Sequence, residues 1–149
     1  MKLRLCNRDE IFVIDLDAAL YFKAEDHYTS VYYGKDVKQL LPFGLFQLED
    51  AIAGKEGCDD FYRAGRSHLV NMSKVVHASV AKETVTMLAN NEQFVTVHVS
   101  KCVVKDIVRS IKDEGKMASV GRKSYGGGEY LSYISVTASR RMMGPAGWH

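Results

Sequence analysis

The sequence predicts a mostly β domain of small antiparallel sheets carrying two short helices, and three observations predict it. Residues 11 to 99 are rich in Val, Ile, Thr, Phe and Tyr, in short runs broken by Gly, Asn and Asp clusters. In VTMLANNEQFVTVHV, Val85, Met87, Val95, Val97 and Val99 alternate about Asn90-Asn91, the mark of a hairpin with one apolar face. Two other segments abandon that two-residue period for helical spacing.

In chain order, IFVI (11–14), ALYFKA (19–24) and YTSVYY (28–33) read as strands because β-branched and aromatic residues dominate them. LFQLEDAI follows, with Leu45, Leu48 and Ile52 at i, i+3 and i+7, and predicts a short amphipathic helix ending near Gly54. FYRAGRSHLVN (61–71) is neither half of an ordinary hairpin. Phe61, Tyr62, Leu69 and Val70 are strand and core material, but Arg63, Gly65, Arg66, Ser67 and His68 between them form a dense run of hydrogen-bond donors. In the 85–99 hairpin, Thr86, Thr96 and His98 take the polar face. Ser100 is a good N-cap and opens a second helix, KCVVKDIVRSIK. At about 100° per residue, Val103, Val104, Ile107, Val108 and Ile111 gather on one side. Lys101 and Lys105 lie off that face, and Cys102 and Arg109 lie nearly opposite its centre.

The domain is expected to occupy residues 1–112, with 113–149 a flexible appendage. The appendage has a Gly triplet at Gly126–Gly128, a Gly-Pro near its end, and LSYISVTA as the material for one added strand. With 149 residues, 46% hydrophobic and 26% charged, the chain has the size and composition of one globular domain. No apolar run approaches the ~20 residues of a membrane helix, and MKLRLCNRDE lacks the apolar region of a secretion signal. The expectation is a cytoplasmic protein with no membrane partner. Cys6, Cys58 and Cys102 have no CxxC spacing, which suits a reducing compartment and neither a disulfide framework nor a zinc site.

Charge limits the choice of partner. The formal net charge is +2, and residues 113–149, with five basic and three acidic residues, account for all of it. A nucleic-acid reading therefore rests on where the cations sit.

An enzyme finds no support: GxSxG, HExxH and phosphate-loop motifs are absent. The five histidines share no metal-ligand spacing and read as solvated or sheet-surface residues. Asp15 and Asp17, two apart in a strand-like run, read as a solvated strand edge rather than a general acid–base pair. No cofactor or metal is expected. Cys102 has a reactive address, since a helix N-terminus and Lys101 would both stabilise a thiolate. Three polar outcrops remain: EDHY around His27, RAGRSH around Arg66, and SKCVVK at the second helix start. Arginine meets guanine O6 and N7 with two hydrogen bonds, histidine can donate to a base or phosphate, and a helix N-terminus offers free N–H groups to a phosphate. Gly65 allows the sharp turn that lets Arg66 project. The plainer reading pairs Arg63 with Asp59 or Asp60 and leaves Arg66 merely solvated.

From about Ile11 to Ile111 the chain resembles the LytTR family of bacterial DNA-binding domains. FYRAGRSHLVN looks like the family signature: an aromatic, an arginine, a short donor loop with serine, then an apolar pair closing on asparagine. Upstream lie an opening strand pair, a His-bearing loop and the LFQLEDAI helix. Downstream, KVVHASVAKETVTMLANNEQFVTVHVSK looks like the family's hairpin leading into a Ser-Lys helix start. The resemblance implies an elongated stack of small antiparallel β-sheets that reads successive major grooves of double-stranded DNA with loops.

By position it implies His27 as the first base reader, Arg66 as the second, and the start of the last helix as the third. Family members often carry an arginine where this sequence has Cys102, so Lys101 substitutes for it or the contact is missing. Ser67, Ser100 and Lys105 are the candidate phosphate contacts. Asn71 is assigned a structural role, and Phe61, Leu69 and Val70 are expected to be buried.

The implied protein is a sequence-specific transcriptional regulator binding repeated half-sites, with a second copy or a regulatory partner protein. The module begins almost at Met1, where many response-regulator relatives place a receiver domain, so a stand-alone regulator is expected. The alternative is a β-rich protein-interaction or regulatory module that keeps the fold with weakened DNA binding; Cys102 and the neutral first 112 residues favour it. Retention on heparin or random duplex DNA across a salt gradient separates the two.

Overall fold

The computed structural model describes residues 1–113 and, for the backbone, the strands at 119–125 and 128–134. It divides into two units, Met1–Ile107 and Val108–His149. In the second, β11 (Ser119–Tyr125) and β12 (Gly128–Ile134) pair antiparallel as a hairpin, where the sequence suggested one added strand. Residues 135–149, including the VTA end of that expected strand and the Gly-Pro, lie outside the described residues.

The first unit is built on three antiparallel sheets, as the fold class predicts. The opening pair is β1 (Lys2–Cys6) with β2 (Ile11–Asp15). The central sheet has the order β5 (Lys38–Leu41), β4 (Thr29–Tyr32), β3 (Tyr21–Ala24), β7 (His68–Asn71) and β6 (Phe61–Ala64). The third is β10 (Phe94–His98), β9 (Thr84–Leu88) and β8 (Val75–Ser79). Helix α1 (Leu45–Ala53) crosses between β5 and β6, and α2 (Lys101–Asp113) follows β10.

Strand alternation sorts the core into two sides of the central sheet. Phe22, paired with Leu69, points with Val31 into a cluster that includes Leu45, Leu48 and Ile52 of α1 and Leu3 and Ile14 of the opening pair. Tyr21, paired with Val70, points to the other side, where Val85 and Met87 of β9 meet Val103 and Ile107 of α2 around a small apolar gap. Each of these fully buried side chains is worth about 1.5–3 kcal/mol in transfer terms. Leu69 and Val70 are buried as expected, whereas Phe61 is half-buried against the first cluster.

Asn71 closes β7 as a structural hub. It is 3% exposed, donates to the Ala19 carbonyl at 2.9 Å, and accepts from the N–H and hydroxyl of Ser73 at 3.1 and 2.7 Å. That leads the chain into a single 3₁₀ turn, Met72–Lys74. The β9–β10 connection turns at Asn90-Asn91, where the sequence placed it. Leu88 pairs with Phe94, so the loop is the five residues Ala89–Gln93, and Glu92 takes the left-handed conformation (φ 66°).

Candidate functional site

The three polar outcrops converge at one end of the central sheet, and specific backbone contacts bring them there. Because β3 runs antiparallel to both β4 and β7, the loop after β3 (residues 25–28) and the loop before β7 (residues 65–67) emerge at the same sheet edge. The Ala24 N–H donates to the Ser67 carbonyl at 2.8 Å, tying the two loops together. His27 and Arg66 are both exposed there, and among the described residues Arg66 makes no ion pair.

The second loop is fixed residue by residue. Gly65 has φ +68°, a left-handed conformation that costs a side chain. Its N–H donates to Asp106 Oδ2 at 2.8 Å, and a Cβ added there would lie 2.9 Å from Val103 Cγ2. These two contacts press the first turns of α2 onto the loop. Arg63, half-exposed, pairs with Glu49 of α1, and its Nη2 donates to the Arg66 carbonyl at 3.1 Å. The expected partner, Asp59 or Asp60, is therefore corrected to Glu49. Arg63 positions the backbone that carries Arg66; it is not a spare donor.

His68 is also corrected. It lies in β7 at 9% exposure, beneath Tyr21, and not on a solvated surface. Burial, and then the nearby Lys23 ammonium, push its pKa down to about 4, so the ring is neutral near pH 7. Ser67 Oγ lies 3.0 Å from His68 Nδ1, so the serine proposed for a phosphate already has a partner in its own neighbour.

At the start of α2, the Val103 N–H approaches Ser100 Oγ at 3.4 Å and the Ser100 carbonyl at 3.0 Å, the N-cap arrangement expected of it. Lys101, Cys102 and Lys105 are all exposed. Lys101 and Lys105, four apart, lie on one side of the helix, whereas Val103 and Asp106, which meet Gly65, project from another side.

Asp15 and Asp17 are engaged elsewhere. Asp15 pairs with Lys2 at 3.6 Å and Asp17 with the N-terminal amine, which lowers the Asp17 pKa. Among the described residues, no group of three His, Cys, Asp or Glu side chains is placed to hold a metal ion. No described helix is long and apolar enough to cross a membrane.

The model of the LytTr DNA-binding domain family matches residues 9–112. The chain belongs to the LytTR family. Among solved structures, it is similar to the LytTr DNA-binding domain of a protein described as a methyl-accepting/DNA response regulator from Bacillus cereus. The two are 18% identical, with a TM-score of 0.48 over 76% of this chain and 96% of that one. No curated protein matches the chain.

In this LytTR domain, sequence reasoning missed the two acids that set the geometry. Glu49 and Asp106 sit 14 and 41 residues from the groups they hold, and nothing local in the sequence marks either contact. β1 also went unread, although Leu3 and Leu5 alternate with Lys2 and Arg4 there. It precedes the residues that match the family.

Proposed function

We propose that this LytTR domain is a sequence-specific, double-stranded-DNA-binding transcriptional regulator that reads successive major grooves with the 25–28 loop, the 65–67 loop and the start of α2. The reading is carried by one observation: Ala24 bonded to Ser67, and Gly65 packed on Val103, gather all three outcrops on one rigid sheet end. His27, Arg66 and Lys101 are the base readers, with Cys102 beside them in the position whose contact this chain has altered. Lys105 and Ser100 are the phosphate contacts; Ser67 serves there only by giving up His68. Two copies bind repeated half-sites on one face of the duplex.

The decisive experiment selects bound fragments from a random duplex library and measures Arg66→Ala on the selected and on scrambled DNA. If Arg66 makes a bidentate pair with a base, the variant loses about 1–3 kcal/mol on the selected site and little on the scrambled one. Equal weakening on both would remove Arg66 from the readers. Lys105→Ala, by contrast, is expected to weaken both DNAs alike and to flatten the dependence of log K on log salt by about one unit. A preserved slope would place Lys105 away from the phosphates. Because residues 1–112 carry no net charge, retention on random DNA should be modest and end at low salt.

A further inference from the structure

Natural sheets guard their open edges with charges, prolines or bulges, because an unguarded edge invites another strand. Among the described sheets, β1, β2, β5, β6, β11 and β12 each border a sheet and each contain a charged residue. Only β8 and β10 contain none. A bulge between Val75 and His77 disrupts β8. β10, with the sequence FVTVH, has no charge, no proline and no bulge.

The ladder shows which groups that edge presents. Ala89 N–H to the Gln93 carbonyl (3.0 Å) and Val99 N–H to the Glu83 carbonyl (3.1 Å) continue the β9–β10 pairing at its two ends. In an antiparallel ladder the hydrogen-bonded pairs recur every second residue, so Val95 and Val97 bond to β9. Phe94, Thr96 and His98 therefore direct their N–H and C=O groups away from β9, into the open. All three are exposed, Phe94 at 67%.

We propose that β10 is a self-docking edge on which a second copy of this chain adds its own β10 antiparallel, about a two-fold axis at Thr96. That register sets Thr96 against the partner's Thr96 and Phe94 against the partner's His98. Every backbone group that faces the open edge then meets a complementary one. The charges agree with it. Glu92, two residues before β10, comes alongside the partner's Ser100 and Lys101, where a helix N-terminus also favours an acid. No like charges are brought face to face along the strand. The result is a continuous six-stranded sheet, and the proposal stands apart from the DNA reading because it uses only the open edge.

Sedimentation of the 149-residue chain over a range of concentrations, under reducing conditions, tests it. A monomer–dimer equilibrium is expected. Thr96→Lys sets two ammonium groups against each other across the axis and should weaken the dimer at least tenfold, with circular dichroism and thermal unfolding as in the parent. If Thr96→Lys fails to fold, Thr96→Cys replaces it as the test: mild oxidation should join two copies through position 96, located by peptide mapping. A monomer at every concentration up to about 1 mM, a dimer indifferent to Thr96→Lys, or no cross-link at position 96 overturns the proposal. The first of these results would also follow if another segment of the same chain occupied the edge.

Discussion

Gly65→Ala is expected to destabilise the domain by about 2–5 kcal/mol and to abolish recognition well before the fold is lost. Two costs combine. An L-residue held near φ +68° carries about 1–2 kcal/mol of backbone strain. The added methyl also meets Val103 Cγ2 at 2.9 Å, and relieving such overpacking typically costs about 1–3 kcal/mol. Relief requires either the loop or the start of α2 to move, and both carry proposed contacts. Urea unfolding reads the first effect and binding to a selected duplex reads the second. A stability change within about 0.5 kcal/mol, as for an ordinary surface substitution, would show that the loop relaxes freely.

Acidification is expected to cost about 2 kcal/mol of stability between pH 7 and pH 5, most of it through His68. In the folded chain its pKa is held near 4 by burial and by Lys23, with Glu25 opposing weakly. Unfolding returns the ring to its ordinary value of about 6.5. Between those values the unfolded state binds the proton and the folded state does not, so stability rises with pH across that window. It is fully present above about 6.5 and falls away as the pH drops towards 4. His68→Leu, which cannot titrate, should flatten the profile between pH 7 and pH 5. An unchanged profile in that variant would assign the acid sensitivity to another group. Recognition should hold over that range, because the folded ring stays neutral there, and weaken only as the pH approaches 4 and the ring takes up its proton beside Ser67.

Much of this fold was legible because its signals are local and repeat. The periods at 85–99, 45–52 and 103–107 placed β9, β10, α1 and the buried face of α2, and Ser100 marked where α2 starts. In the first unit, β1 and β5 drew no reading of their own, for different reasons. Two of the five residues of β1 are charged, and β5 is the four residues KQLL, too short for alternation to stand out. At the candidate site the sequence showed which residues bear chemistry and not how they are held. Arg63 took Glu49 rather than the closer Asp59 or Asp60 because α1 packs across the sheet and delivers that carboxylate from a distance. Likewise, the burial of His68 follows from β7 lying inside the central sheet, which neighbouring residues alone do not reveal.

The anchoring of residues 65–67 also bears on retargeting. Asp106 secures the peptide group entering Gly65, Arg63 the carbonyl of Arg66, and Ala24 the carbonyl of Ser67. Only the side chain at position 66 is left to vary. A library restricted to that codon could therefore exchange one readout for another while the frame presenting it stays put.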